Sequence, residues 1–272
     1  MHLRHGYVLG GQIDRRLALW LTSLVALAGL NVGLWTWIAR SVSLHSPYVE
    51  AQLLLSGVYV SVCGFRSLFP RVDLERVCLW DTWLSAIFLG RTVATIAEFC
   101  FAIQCALFVQ RLAEITGLPA LAAAAHVFIP VVIAAEIVCW YAVLSLNHIG
   151  HAVEESLWSF LMLLLAAAVG TAAFAAHGSL RTMLMAVFLV YAVGGGLTLA
   201  FDVRMYVQRW RRHAADGYLS LAMGFHDSRR RRHPTLAWDV WRVEAPWMTL
   251  YFSFGVWTSL AMVLLEWAAS HG

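Results

Sequence analysis

Seven apolar runs leave this chain few choices of fold. They lie near residues 17–38, 50–65, 83–110, 118–146, 155–176, 182–203 and 246–268. A helix needs about 20 residues to cross a hydrocarbon core. Lipid offers the backbone no hydrogen-bond partner, so a run of that length satisfies its own amides as a helix. The pattern predicts an all-α, polytopic integral membrane protein with seven transmembrane helices in one domain covering 1–272. The second run is the shortest and carries Glu50 and Arg66 at its ends. The first is too long for a signal-peptide core and lacks a small-residue cleavage site, so it is expected to remain as a span. No internal repeat and no linker divides the chain.

Composition bears on what can be done inside such a bundle. Hydrophobic residues make up 61% and charged residues 13% of the 272, against roughly 25% charged in soluble domains. Many of the 13 Trp stand near the ends of the runs, where amphipathic rings sit at headgroup level. Every one of the 19 basic residues is arginine. Without lysine there is no Schiff base, which excludes a retinal-binding rhodopsin. The five cysteines form no CxxC pair and read as small core residues.

Arginine also sets the orientation. Arg4, Arg15, Arg16, Arg66, Arg71, Arg76 and nine more between Arg204 and Arg242 fall on one side; Arg40, Arg111 and Arg181 fall on the other. By the positive-inside rule the N-terminus is cytoplasmic and the C-terminus outside. The expected location is a bacterial inner membrane. The 204–245 connection is then a long basic cytoplasmic loop. Its segments "RMYVQRWRR" and "SRRRRHP" are interleaved with Trp210, Trp238 and Trp241. In a membrane protein such clusters meet anionic lipid headgroups, and no nucleic-acid partner is expected.

Three places can carry chemistry. The first is "SLNHIGHAVEESLW", 145–158, in the one cytoplasmic turn without arginine. On a helix His148, His151 and Glu155 share a face, and Asn147, His151 and Glu154 share the next. Imidazole and carboxylate at that spacing can ligate Zn or Fe, or form an acid–base pair. The plainer alternative has Gly150 breaking the turn, the histidines in a wet loop, and Glu154 and Glu155 in the first turn of span five, where the helix dipole favours acid.

The second is charge at membrane depth: Glu98 and Glu136, with Arg91 two turns from Glu98 on one face. Inserting each costs about 2.5–3.5 kcal/mol on translocon scales, so they are expected to face the interior. Gln104 and His126 add polar groups toward the outer half. The third is the 2–3 connection, where Arg66, Arg71, Asp73, Glu75, Arg76 and Asp81 alternate in sign and predict a salt-bridged lid. Asp239 and Glu244 return acid to the same side before span seven. Gly194–Gly196 mark close helix packing or a kink.

"EESLWS" (154–159) resembles the EExxxR element of membrane CAAX-type proteases up to Ser159, which stands where the arginine belongs. "AVEESLWSF" is similar to the PxEExxFF segment of membrane-bound lycopene cyclases, with Ala152 in place of the proline. Neither pattern is completed elsewhere, and neither family is assigned.

The expectation is a membrane-embedded enzyme of lipid metabolism acting on a lipid or isoprenoid-like substrate. Glu154, Glu155, His148 and His151 would be acid/base groups or, for His148, His151 and Glu155, metal ligands. Glu98 and Glu136 would line the inner pocket, and Arg71, Arg76, Arg91, Asn147, Asp239 and Glu244 would bind substrate. The alternatives are a proton-coupled transporter using Glu98, Glu136, Arg91 and His126, and a non-catalytic assembly subunit.

Overall fold

The computed structural model describes residues 13–42, 46–213 and 217–270; Arg4, counted above, lies outside them. Six helices are long and apolar enough to cross a membrane: Arg15–Ser41, Pro47–Leu68, Ile87–Thr116, Pro119–Ser145, His148–Ala175 and Gly178–His213. The chain is accordingly a multi-pass helical protein. The first three are α1, α2 and α3. The fourth consists of α4 (Pro119–Ala125) and α5 (Phe128–Ser145), α6 is His148–Ala175, and the last joins α7 (Gly178–Leu197) to α8 (Val203–His213).

Two interruptions have local causes. The break between α4 and α5 falls four residues before Pro130, which offers no N–H to the His126 carbonyl and crowds it. Between α7 and α8 a π turn, Thr198–Asp202, follows Gly194–Gly196. A Cβ on Gly195 would lie 3.1 Å from both Met162 and Leu163 on α6, so the expected close approach is real at that position.

The last apolar run is helical but broken: α11 (Ala245–Leu250), a π turn at Tyr251–Gly255, α12 (Val256–Val263) and α13 (Leu265–Ser270). Its carbonyls find donors on other helices. Asn31 donates to the Phe252 carbonyl at 2.7 Å, Tyr48 to Met262 at 2.7 Å and Ser179 to Ala268 at 2.9 Å. Neighbouring helices in this way satisfy carbonyls of the broken helix. Gln104 belongs to the same stitching. It bonds Gln52 at 2.9 Å and accepts from Ser259 at 2.6 Å, joining α2, α3 and α12.

The 2–3, 4–5 and 6–7 connections gather at one end of the bundle. Strands β1 (Arg71–Val72) and β2 (Val77–Cys78) form a hairpin, and β3 (His233–Pro234) pairs in parallel with β2. The region taken as a loop from 204 is therefore folded: α8 runs to His213, followed by α9 (Leu221–Arg230), β3 and α10 (Trp238–Trp241). Arg76, its side chain 0% exposed, ties this end together. It donates to Asp227 at 2.9 Å, to the Asp73 carbonyl at 2.7 Å and to the Val143 carbonyl at the end of α5 at 2.9 Å. Leu219 N caps the Ser145 carbonyl at 3.1 Å, and a Cβ on Gly224 would strike the Leu144 carbonyl oxygen at 1.9 Å. Helix α9 thus sits directly on the end of α5.

Candidate functional site

Helix α6 begins earlier than expected. Asn147 is its N-cap, its side chain accepting from Ile149 N at 3.1 Å, and His148 is the first helical residue. Gly150 does not break the turn. A Cβ there would stand 2.7 Å from that of Ala142, so the glycine lets α6 cross α5 closely. His148 and His151 are buried, not wet, and Glu154 and Glu155 belong to the second turn.

That extra length carries the acids of α6 inward until they meet those of α3 and α5. Arg91 Nη2 lies 2.5 Å from Glu98 and 3.3 Å from Glu136, and Nη1 lies 3.8 Å from Glu154. His151 Nδ1 is hydrogen-bonded to Glu154. Thr95 donates to Glu136 at 2.5 Å and in turn accepts from the Trp140 indole at 3.0 Å. The mid-membrane acids and the polar turn, expected as separate features, form one buried cluster.

A second layer covers it. The His151 ring stacks on Tyr206 of α8 at 5.0 Å between centroids, and His148 stands 5.3 Å from His213. His213 Nδ1 donates to the Arg209 carbonyl at 2.9 Å. Arg209 bridges Glu75 of the 2–3 connection at 3.1 Å and Glu244 at 3.0 Å. Burial raises the Glu244 carboxyl above its ordinary range, against the opposing pull of Arg209. Glu155 is half-buried and feels the charges of Glu154, Asp202 and Glu98.

Several expected roles change. Arg76 is held by three structural hydrogen bonds and is a strut. Asn147 is a helix cap. Asp239 pairs with Arg242 at the surface, its side chain 84% exposed, and does not approach His148 or His151. His126 is exposed beside the α4–α5 break and stands apart from the acids. Arg91 is the counter-ion of the acids and not a free substrate-binding group.

The metal set also differs from His148, His151 and Glu155. Ligand atoms within 4.8 Å of one another come from Cys139, His151 and Glu154, and from Glu98, Glu136 and Glu154. The Arg91 guanidinium touches all three carboxylates of the second set, filling the place an ion would take.

Sequence reasoning missed Thr95, Cys139, Trp140, Tyr206 and Asp202. Thr95 was within reach, since Arg91, Thr95 and Glu98 follow the i, i+4, i+7 rule. Tyr206 was not, because it lies in the segment read as loop. Comparison with protein-family models, with curated proteins and with solved structures finds no match for this chain.

Proposed function

We propose that this chain is a membrane-embedded enzyme that uses buried carboxylates as acid and base on a lipid or isoprenoid-like substrate, in a site entered from the cytoplasmic face of a bacterial inner membrane. One observation carries the reading: a single arginine serves Glu98, Glu136 and Glu154 inside the bundle. Three buried carboxylates thus share one guanidinium at contact distance. Uncompensated buried charge is too costly to leave standing, so the set holds at least one exchangeable proton. An acid that keeps its proton beside a base that has lost one is the working pair of general acid–base catalysis. Glu154, joined to His151, is placed to exchange protons with the cytoplasmic side, and Glu98 lies deepest.

We read residues 245–270 as the seventh crossing. The common end of the 2–3, 4–5 and 6–7 connections supports this, and together with the arginine count it supports a cytoplasmic N-terminus. The exposed Leu221, Met223 and Phe225 of α9, followed by Arg229 and Arg230, suit a helix lying in the interface against anionic headgroups.

Transport is the second reading, favoured by the line His213, His148, His151, Glu154, Glu98 running inward. The next polar layer, Gln52, Gln104 and Ser259, is closed on itself by hydrogen bonds, which favours a blind site over a through path. The test is incubation of purified protein with lipid extract of the producing cell, followed by mass spectrometry. A lipid changed by the native chain and unchanged by Glu98→Gln or Glu154→Gln supports the enzyme. No changed lipid, together with proton flux in liposomes that the same substitutions abolish, would replace it with transport.

A further inference from the structure

Arg71 is buried, its side chain 2% exposed, and its charge is poorly met. Nη2 has no hydrogen-bond partner, Nη1 reaches the Leu84 carbonyl only at 3.4 Å, and Nε stands 3.9 Å from Asp73. The guanidinium lies against the first turn of α3, where a Cβ on Gly90 would fall 1.6 Å from Arg71 Cζ. Ala86, the N-cap of that helix, offers no side-chain acceptor. A cation therefore occupies the positive end of a thirty-residue helix, the end that favours anions.

Arg66, near the end of α2, is within electrostatic range of both Arg71 and Asp73. Its guanidinium rests 5.5 Å over the Tyr251 ring and 5.6 Å over Phe252; among the described residues it makes no salt bridge. The Tyr251 hydroxyl, close to that of Tyr59, makes no well-formed hydrogen bond. Two guanidiniums thus lie within electrostatic range of one carboxylate, Asp73, whose Oδ1 accepts no hydrogen bond, and a helix N-terminus and a phenol stand beside them. Arg91 and Glu98 of the acid cluster are within electrostatic range of Arg66.

We propose that Arg66, Arg71 and Tyr251 form the binding site for the phosphate head of a lipid or isoprenoid phosphate, held beneath the 2–3 hairpin with its apolar chain directed toward the acids. This rests on the enzyme reading above and names the substrate class. Guanidinium forks match phosphate oxygens in pairs, and a doubly charged head would balance two arginines where Asp73 balances one. The geometry also explains why the first turn of α3 carries a glycine beneath Arg71: any side chain at position 90 would displace the guanidinium.

The probe is dodecyl phosphate, titrated calorimetrically into the full chain in neutral detergent, with dodecanol and inorganic phosphate alongside. Dodecyl phosphate is expected to bind at least ten times more tightly than either, and Arg71→Met and Arg66→Met to remove at least nine-tenths of that advantage. Tyr251→Phe deletes one hydroxyl and keeps the ring under Arg66, so it reports even if the arginine variants fail to fold; a several-fold loss is expected. Equal affinity for dodecanol or for inorganic phosphate would overturn the proposal, as would unchanged affinity in Tyr251→Phe together with either arginine variant. Dodecyl phosphate bound by native protein that changes no lipid would sink the acid–base reading while leaving this site standing.

Discussion

At the scale of single residues, Arg91 is the position on which the most depends. Removing one partner of a buried ion pair costs about 3–5 kcal/mol because the other is left uncompensated, and Arg91 has three such partners. Arg91→Ala is therefore expected to lower the apparent Tm in detergent by more than Glu98→Gln or Glu136→Gln, each of which removes a charge that is in excess. Thermal unfolding followed by tryptophan fluorescence checks the order. The same arginine decides the metal question. Native protein is expected to bind well under one Zn or Fe per chain, and Arg91→Ala, if it folds, to bind more, because three carboxylates would then face an empty centre; elemental analysis reads both. Arg71 retains its charge at neutral pH even though burial lowers it to about 10, so any anion it serves meets a cation.

Elements explain which of these residues could be foreseen. Glu98, Glu136 and Arg91 were legible because charge within an apolar run has few places to go but the interior. The seven apolar runs were legible from length alone. What sequence could not supply was where α6 begins, and the whole site turns on that. Read from Glu155, the helix leaves the histidines in water; read from Asn147, it buries them and brings Glu154 to Arg91. The decisive local signals, an Asn cap and a glycine that serves crossing instead of breaking, are each ambiguous without the neighbouring helix. Asn147→Ala should cost about 1 kcal/mol through the lost cap. Gly150→Val, which adds bulk where a Cβ would already be 2.7 Å from Ala142, should cost more and separate α5 from α6. Denaturation midpoints of the two variants test that ranking. The 6–7 connection was misjudged for a different reason: basic composition obscured a short helix that packs Gly224 and Ser228 inward, with Gly224 against the end of α5, and leaves Leu221, Met223 and Phe225 exposed.

For the molecule as a whole, orientation in the membrane is directly measurable. Reporter fusions that work only on one side of the membrane should place residues near 76 and 232 in the cytoplasm and those near 117 and 177 outside. A fusion at the C-terminus should report the outside if 245–270 crosses. A cytoplasmic C-terminus would instead make the broken helix a re-entrant one. The parallel pairing of β2 with β3 carries a consequence for biogenesis. Strand β2 is made before the third helix, whereas β3 follows the sixth, so the cover over this end of the bundle cannot close until most of the chain has left the ribosome. Until then the hairpin and the end of α5 lack the cover of α9 and β3, and a nascent chain halted after α8 has its acid cluster assembled beneath an unfinished roof.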